Sequence, residues 1–266
     1  MPSPGGTDRA RSTSRTSSRR PGAPVRRVEI DQGRVDTGRW PYAIPAVRHL
    51  CKHGLDLGPG ITVIIGSNGS GKSTIVEAIA ANWARRVGAF RNDWMQSAVG
   101  RPSAEDSDLH RSIRLYFTRG GPTGGLFLRA ERLHAQAGFF AGEKTRGRWS
   151  DRLGDAPILT RSHGEGFLEI LNGMLAEPGL YLLDEPESAL SFESSLTLLH
   201  ILVQMRAHGS QIILATHSPM LAAVPDAQIL QLDGDGIAPV DYDAAALVSN
   251  WRAFLEAQQR FLRHIG

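Results

Sequence analysis

Residues 66–74 read Gly66-Ser67-Asn68-Gly69-Ser70-Gly71-Lys72-Ser73-Thr74, a complete G-x-x-x-x-G-K-[ST] phosphate loop. Before it, residues 61–65 (ITVII) form an unbroken β-branched run, as expected of a strand buried on both faces. After it, residues 73–84 have the character of a helix. Each residue type in the loop has a physical reason. Glycines let the backbone curl so that successive N–H groups converge on phosphate oxygens. The helix that follows adds its positive N-terminal end. Lys72 can reach the β- and γ-phosphates of a nucleotide, and the Ser73 hydroxyl can coordinate Mg2+.

From Trp40 onward short apolar runs alternate with helical stretches, which points to an α/β fold. Residues 180–183 and 212–215 are further runs suited to buried strands, and residues 167–175 and 196–207 read as helices. Residues 113–117 and 126–128 are short strands on either side of the glycine-rich stretch 119–125, which predicts a hairpin. Residues 134–160 have no clear period and read as loop. Residues 229–232 and 237–240 bracket Asp235-Gly236 and predict a second hairpin. Residues 247–262 carry an apolar stripe near the helical period, so one amphipathic helix covering the core is expected there.

The run at 180–183 ends in Asp184-Glu185-Pro186. In a parallel sheet the C-terminal ends of the strands lie beside the phosphate loop. Asp184 would then join the metal shell, directly or through water, and Glu185 would polarise an attacking water.

With these motifs placed, the sequence resembles the ABC-class ATPases. Ser188-Ala189-Leu190-Ser191 is similar to the family's D-loop, and Thr216-His217-Ser218-Pro219 to its switch-histidine segment. Arg161-Ser162-His163-Gly164-Glu165-Gly166, ahead of a helix, resembles the signature loop, usually LSGGQ; Ser162 and Gly164 hold while Arg161, His163 and Glu165 depart. The departure resembles a group of compact stand-alone prokaryotic ATPases, nearer to repair, chromosome-maintenance and antiviral-defence ATPases than to transporter subunits. The resemblance implies a P-loop fold of ABC type: a mostly parallel central sheet flanked by helices, an antiparallel portion, and a small subdomain carrying the signature loop. It implies ATP and Mg2+ as ligands and a homodimer that closes around two nucleotides. Ser162, Gly164 and Glu165 would meet the nucleotide held by the other protomer, and His217 the γ-phosphate and the attacking water. Glu131 stands near the place of the family's Q-loop glutamine, as a candidate metal contact. Trp40 and Tyr42 precede the phosphate loop, where the family places an adenine-stacking aromatic, and Tyr42 is the candidate.

Charge and composition narrow the function further. Residues 1–27 carry seven arginines against Asp8 alone, a net of +6, so the rest of the chain sums to −3 against a total of +3. That Ser/Arg/Pro/Gly-rich stretch predicts a disordered tail, a solubilising segment by composition or else a tether to nucleic acid. Residues 28–266 are then one domain, with the insert and signature subdomain at about 86–175. No run approaches the ~20 apolar residues of a membrane span, and no secretory signal is visible. Cys51, the one cysteine, cannot make an internal disulfide. These features predict a cytoplasmic ATPase driving a protein partner. No heptad insertion separates the phosphate loop from the signature, which excludes a coiled-coil-armed repair ATPase. Two alternatives stay open: a component of a DNA repair or defence system, and the energy-coupling subunit of a membrane transporter. His49, Cys51 and His53 would share a face if their segment is extended, but lack the fourth ligand of a structural zinc site.

Overall fold

In chain order the elements are β1 (Val25–Ile30), α1 (Pro45–His53), β2 (Leu55–Asp56), β3 (Ile61–Gly66), α2 (Lys72–Arg86), β4 (Ile113–Phe117) and β5 (Gly125–Arg129). They continue with α3 (His163–Gly173), β6 (Leu180–Asp184), α4 (Phe192–Ala207), β7 (Gln211–Ala215), α5 (Pro219–Ala222), β8 (Gln228–Asp233), β9 (Gly236–Pro239), α6 (Ala246–Glu256) and α7 (Gln258–Leu262). This is a computed structural model, and it describes residues 25–86, 107–118, 124–130, 163–173 and 178–263.

The main sheet has six strands in the order β5-β6-β7-β3-β8-β9. The first five run parallel, and β9 returns antiparallel to β8 through the turn at Asp235-Gly236. A second, antiparallel sheet has the order β2-β1-β4. Every residue of β6 and β7 is buried, as are the first five of β3. Parallel strands carry helices on both faces, so near-continuous apolar runs are what they require. The pleat sends alternate residues into two layers. Ile64, Leu180, Leu182 and Ile213 pack with α1, α2 and the antiparallel sheet. Val63, Ile65, Tyr181, Leu183, Ile212 and Leu214 pack with α4 and with Leu171 of α3. Each such buried aliphatic side chain contributes about 1.5–3 kcal/mol.

The register sets the site. Arg129 lies opposite Asp184, Asp184 opposite Ala215, and Ala215 opposite Ile64. The C-terminal ends of β5, β6, β7 and β3 therefore form one edge, and the phosphate loop, the acidic pair and the His217 turn all leave from it. At the other end of β7, Gln211 joins the two sheets. Its Oε1 accepts from the Val25 N–H at 2.6 Å, and its Nε2 donates to the carbonyls of Val25 (2.8 Å) and Gly58 (3.1 Å).

Several expectations need correction. The strands at 113–117 and 125–129 do not pair with each other; β4 pairs with β1, and β5 with β6. Long-range pairing with buried partners overrides the local glycine-rich link. Both strands fall inside the stretch expected as an insert, yet each belongs to one of the two sheets. The tail boundary at 27 is also too late, since β1 begins at Val25 and Arg27 donates to Glu29 and Asp56. The rest of the tail and residues 134–160 lie outside the described residues. The amphipathic stretch is not one core-covering helix: it breaks at Ala257 into α6 and α7, where Val248 is the buried residue. Trp251, Leu255, Phe261 and Leu262 are exposed, and the rings of Trp251, Phe254 and Phe261 lean on one another. His49, Cys51 and His53 lie on helix α1 rather than on an extended segment, with the two rings 4.7 Å apart and one turn between them. Among the described residues no helix is long and apolar enough to cross a membrane.

Candidate active site

The phosphate loop is held in shape by close backbone approach. A Cβ on Gly66 would stand 2.6 Å from the Leu232 carbonyl oxygen. One on Gly71, whose φ is +100°, would stand 2.9 Å from Cγ2 of Ile44. Neither position admits a side chain without a shift, which is the reason for glycine there. Helix α2 starts at Lys72, one residue earlier than expected, so its N-terminus opens directly onto the loop.

Lys72 is buried inside the loop it closes. Its ammonium donates to the carbonyls of Gly66 (3.1 Å) and Ser67 (3.2 Å) and lies 2.7 Å from Nε2 of His217. Burial lowers its pKa from the ordinary lysine value, while Glu185, Asp184 and Glu187 push it back up. Glu185 Oε1 is 4.0 Å from the ammonium and 3.1 Å from the same His217 nitrogen. One imidazole nitrogen has either a lone pair or a proton. At Nε2 a lone pair accepts from the Lys72 ammonium and a proton is donated to the Glu185 carboxylate, so the tautomer decides which of the two contacts is the hydrogen bond. Lysine, histidine and glutamate thus form one compact group.

Glu185 adopts left-handed backbone angles (φ 49°, ψ 51°), a conformation that costs a non-glycine residue about 1–2 kcal/mol. Its N–H is tied to the Ala215 carbonyl at 2.9 Å. The bend turns the chain sharply off the end of β6 and separates the directions of the two adjacent carboxylates. Asp184 is 1 % exposed, and both of its oxygens are engaged. Oδ1 accepts from Ser73 Oγ at 2.9 Å, and Oδ2 from Arg129 Nε at 2.7 Å. The Arg129 guanidinium also reaches Glu77 Oε2 of α2 at 3.4 Å. Burial works against its charge, but Asp184 and Glu77 leave its pKa raised.

Among the buried oxygens with no hydrogen-bond partner among the described residues are Ser70 Oγ and Glu187 Oε2. Ser70 lies in the phosphate loop, so its orphaned hydroxyl, the loop N–H groups and Lys72 suit a polyanion. The Ser73 hydroxyl beside Asp184 suits Mg2+, a hard cation that takes oxygen ligands, keeps several waters and shares its shell with phosphates. Glu187 accepts through Oε1 from the backbone N–H of His217, linking the two turns.

Of the residues expected in the site, the structure brings together Gly66 to Thr74, Asp184, Glu185 and His217. Gly164 and Glu165 lie in the first turn of α3. Leu171 of that helix packs in the layer of α4, whereas α2 packs in the layer on the opposite face of the sheet. Ser162 and Glu131 lie outside the described residues. Tyr42 is a correction: it is 4 % exposed, and its hydroxyl pairs with Ser112 Oγ at 2.7 Å, so its ring has no open face for adenine. Trp40 is 52 % exposed. Sequence reasoning missed Arg129, Glu77 and Glu187. The acidic Asp-Glu-Pro-Glu run marks Glu187, but Arg129 becomes visible only through strand register.

Comparison with known proteins identifies the chain's relatives. A family model described as "AAA domain" matches residues 47–123, and one described as "AAA domain, putative AbiEii toxin, Type IV TA system" matches residues 170–223. The chain is 30% identical over 190 residues to "Cytochrome c biogenesis ATP-binding export protein CcmA" of Paramagnetospirillum magneticum, covering 67% of this chain and 84% of that protein. It is 27% identical over 193 residues to "Putative ribose/galactose/methyl galactoside import ATP-binding protein 3" of Agrobacterium fabrum, covering 66% of this chain but only 38% of that longer relative. Among solved structures, a nucleotide-free ATP-binding cassette from an ABC transporter is 17% identical with a TM-score of 0.46, covering 75% of this chain and 87% of the other.

Proposed function

The chain belongs to the ABC-type ATPases, and on that premise we propose that the cradle at residues 66–74 binds ATP with Mg2+ and hydrolyses it through Asp184, Glu185 and His217. The observation that carries this reading is the Ser73–Asp184 contact at 2.9 Å, beside a lysine in contact with His217 and next to Glu185. The ends of three strands, β3, β6 and β7, deliver these groups to one point, and the reaction needs that set of groups.

When bound, Mg2+ neutralises charge on the β- and γ-phosphates and orients them. Ser73 and Asp184 would hold it. Loop N–H groups, Ser70 Oγ and the Lys72 ammonium bind the phosphate oxygens. As the phosphates take up Lys72, Glu185 loses a competing cation and faces a water at the γ-phosphorus. The water oxygen forms a bond to phosphorus, the bond to the β,γ-bridging oxygen breaks, and Glu185 takes the water's proton. ADP and inorganic phosphate result. His217, held from behind by Glu187, positions the water and the γ-phosphate.

The signature helix α3 packs on the face of the sheet away from α2, which supports a site completed in trans. Ser162, Gly164 and Glu165 of one protomer would cap the nucleotide of another, giving an ATP-dependent homodimer. The cycle drives a partner. The names of the relatives point to export or import systems, while the second family model points to a toxin–antitoxin context; the departed signature at 161–166 favours a stand-alone ATPase. The test is hydrolysis and equilibrium binding of a fluorescent ATP analogue. Lys72→Ala is expected to weaken binding at least tenfold (~1.4 kcal/mol) and abolish turnover. Unchanged affinity refutes the cradle.

A further inference from the structure

Arg129 belongs to none of the motifs that perform the ATPase chemistry. It is the last residue of strand β5 and lies opposite Asp184 in the parallel register. Its side chain is largely buried and stands between two carboxylates, Asp184 at 2.7 Å and Glu77 at 3.4 Å, which are themselves largely buried. Two desolvated carboxylates so placed repel each other, and each is costly to bury without a counter-charge. The guanidinium supplies that charge from within the chain. With Ser73 donating to Oδ1 and Arg129 to Oδ2, Asp184 has both oxygens satisfied before any ion arrives.

A divalent cation beside Asp184 would provide the same compensation. We propose that Arg129 is a positioning residue that acts as a tethered counter-cation. It balances Asp184 and Glu77 in the nucleotide-free cradle, so the cradle takes no divalent cation alone and admits one only with a polyphosphate. The phosphates bring the additional negative charge that a second cation needs. Arg129 also fixes Asp184 with Oδ1 toward Ser73, the geometry used when metal and nucleotide enter together. This inference rests on the reading above that Asp184 stands on the metal side of the cradle.

The experiment uses Mn2+ as probe on the full chain without nucleotide, with binding followed by electron paramagnetic resonance and melting temperature recorded in EDTA and in Mn2+. Wild type is expected to show no saturable Mn2+ binding below millimolar concentration and the same melting temperature in both conditions. Arg129→Gln is expected to bind Mn2+ at least about tenfold more tightly, because a unit positive charge a few ångströms away is lost. It is expected to melt lower than wild type in EDTA and to recover in Mn2+ by mass action. Arg129→Lys, which keeps the charge, is expected to restore wild-type behaviour. If Arg129→Gln binds Mn2+ no more tightly than wild type, or melts lower without recovery in Mn2+, the counter-cation role is overturned. A separate arm isolates the underlying reading: Asp184→Asn should raise the Mn2+ concentration needed to support binding of a fluorescent ATP analogue. No change in that arm overturns the metal-side reading, and the proposal with it. A change there with no gain in Arg129→Gln overturns the proposal alone.

Discussion

Replacing Gln211 by leucine tests how the two sheets are joined. The amide is 4 % exposed and satisfies three backbone groups at once: the Val25 N–H, the Val25 carbonyl and the Gly58 carbonyl. Leucine fills a similar volume and satisfies none of them. A buried polar group left without a partner costs about 1–3 kcal/mol. Three groups at the low end of that range give about 3 kcal/mol, a large share of the ~5–15 kcal/mol that holds a domain folded. At roughly 2–4 °C per kcal/mol for a chain of about this size, the melting temperature should fall by about 6–12 °C. Gln211 lies at the start of β7 and the His217 turn follows its end, about 13 Å away along the strand at ~3.3 Å per residue. Binding of an ATP analogue at 15 °C should therefore stay within twofold of wild type. Thermal melts and the binding titration, run on the same preparation, check both halves. A melting temperature within about 2 °C of wild type would refute the claim that this amide joins the sheets, and loss of nucleotide binding in a folded variant would refute its separation from the site.

Two further outcomes can be checked. Ser162→Arg should abolish hydrolysis while leaving ATP affinity near wild type, and mixing it with inactive Lys72→Ala should restore activity, up to about half the wild-type rate per mixed dimer if sites act independently; wild-type turnover by Ser162→Arg alone would refute action in trans. Burial holds the imidazoles of His110 and His49 below the ordinary histidine pKa, with nearby arginines adding to the effect at His110 and His53 at His49. The unfolded chain therefore binds more protons below about pH 6.5, so stability rises with pH through that window and is lost as pH falls from 7 toward 5.5. Melting curves at the two values should show the loss, and His110→Gln should reduce it; an identical slope in the variant would refute the assignment.

The parts of the site legible in the sequence are those written in contiguous residues. The phosphate loop, Asp184-Glu185 and His217 each follow an apolar run, so strand, end and motif can be read together. The parallel sheet follows from those runs because only strands covered on both faces are apolar throughout. What stayed hidden depends on which strands pair and in what register. Residues 113–117 and 126–128 read as a hairpin because a glycine-rich link lies between them, but the strands there pair with β1 and β6 instead. Arg129 belongs to no contiguous motif, and only strand pairing sets it opposite Asp184. Tyr42 stood where an adenine-stacking ring belongs, and its burial against Ser112 could not be inferred from position alone. The apolar stripe at 247–262 is visible in the sequence but its exposure is not, since periodicity reports which side chains align and not whether an element packs over them.

The central claim is that Glu185 activates water for nucleotide bound at the Lys72 cradle. The most direct measurement is the nucleotide retained after Glu185→Gln is incubated with MgATP and passed rapidly through a desalting column. The variant keeps the cradle, Ser73 and Asp184 but loses the proton acceptor, which slows hydrolysis by about 10²–10⁴-fold. It should retain close to one unhydrolysed ATP per chain and run as a dimer by light scattering, while wild type yields ADP. Wild-type turnover by the variant, or no retained nucleotide, would contradict the account.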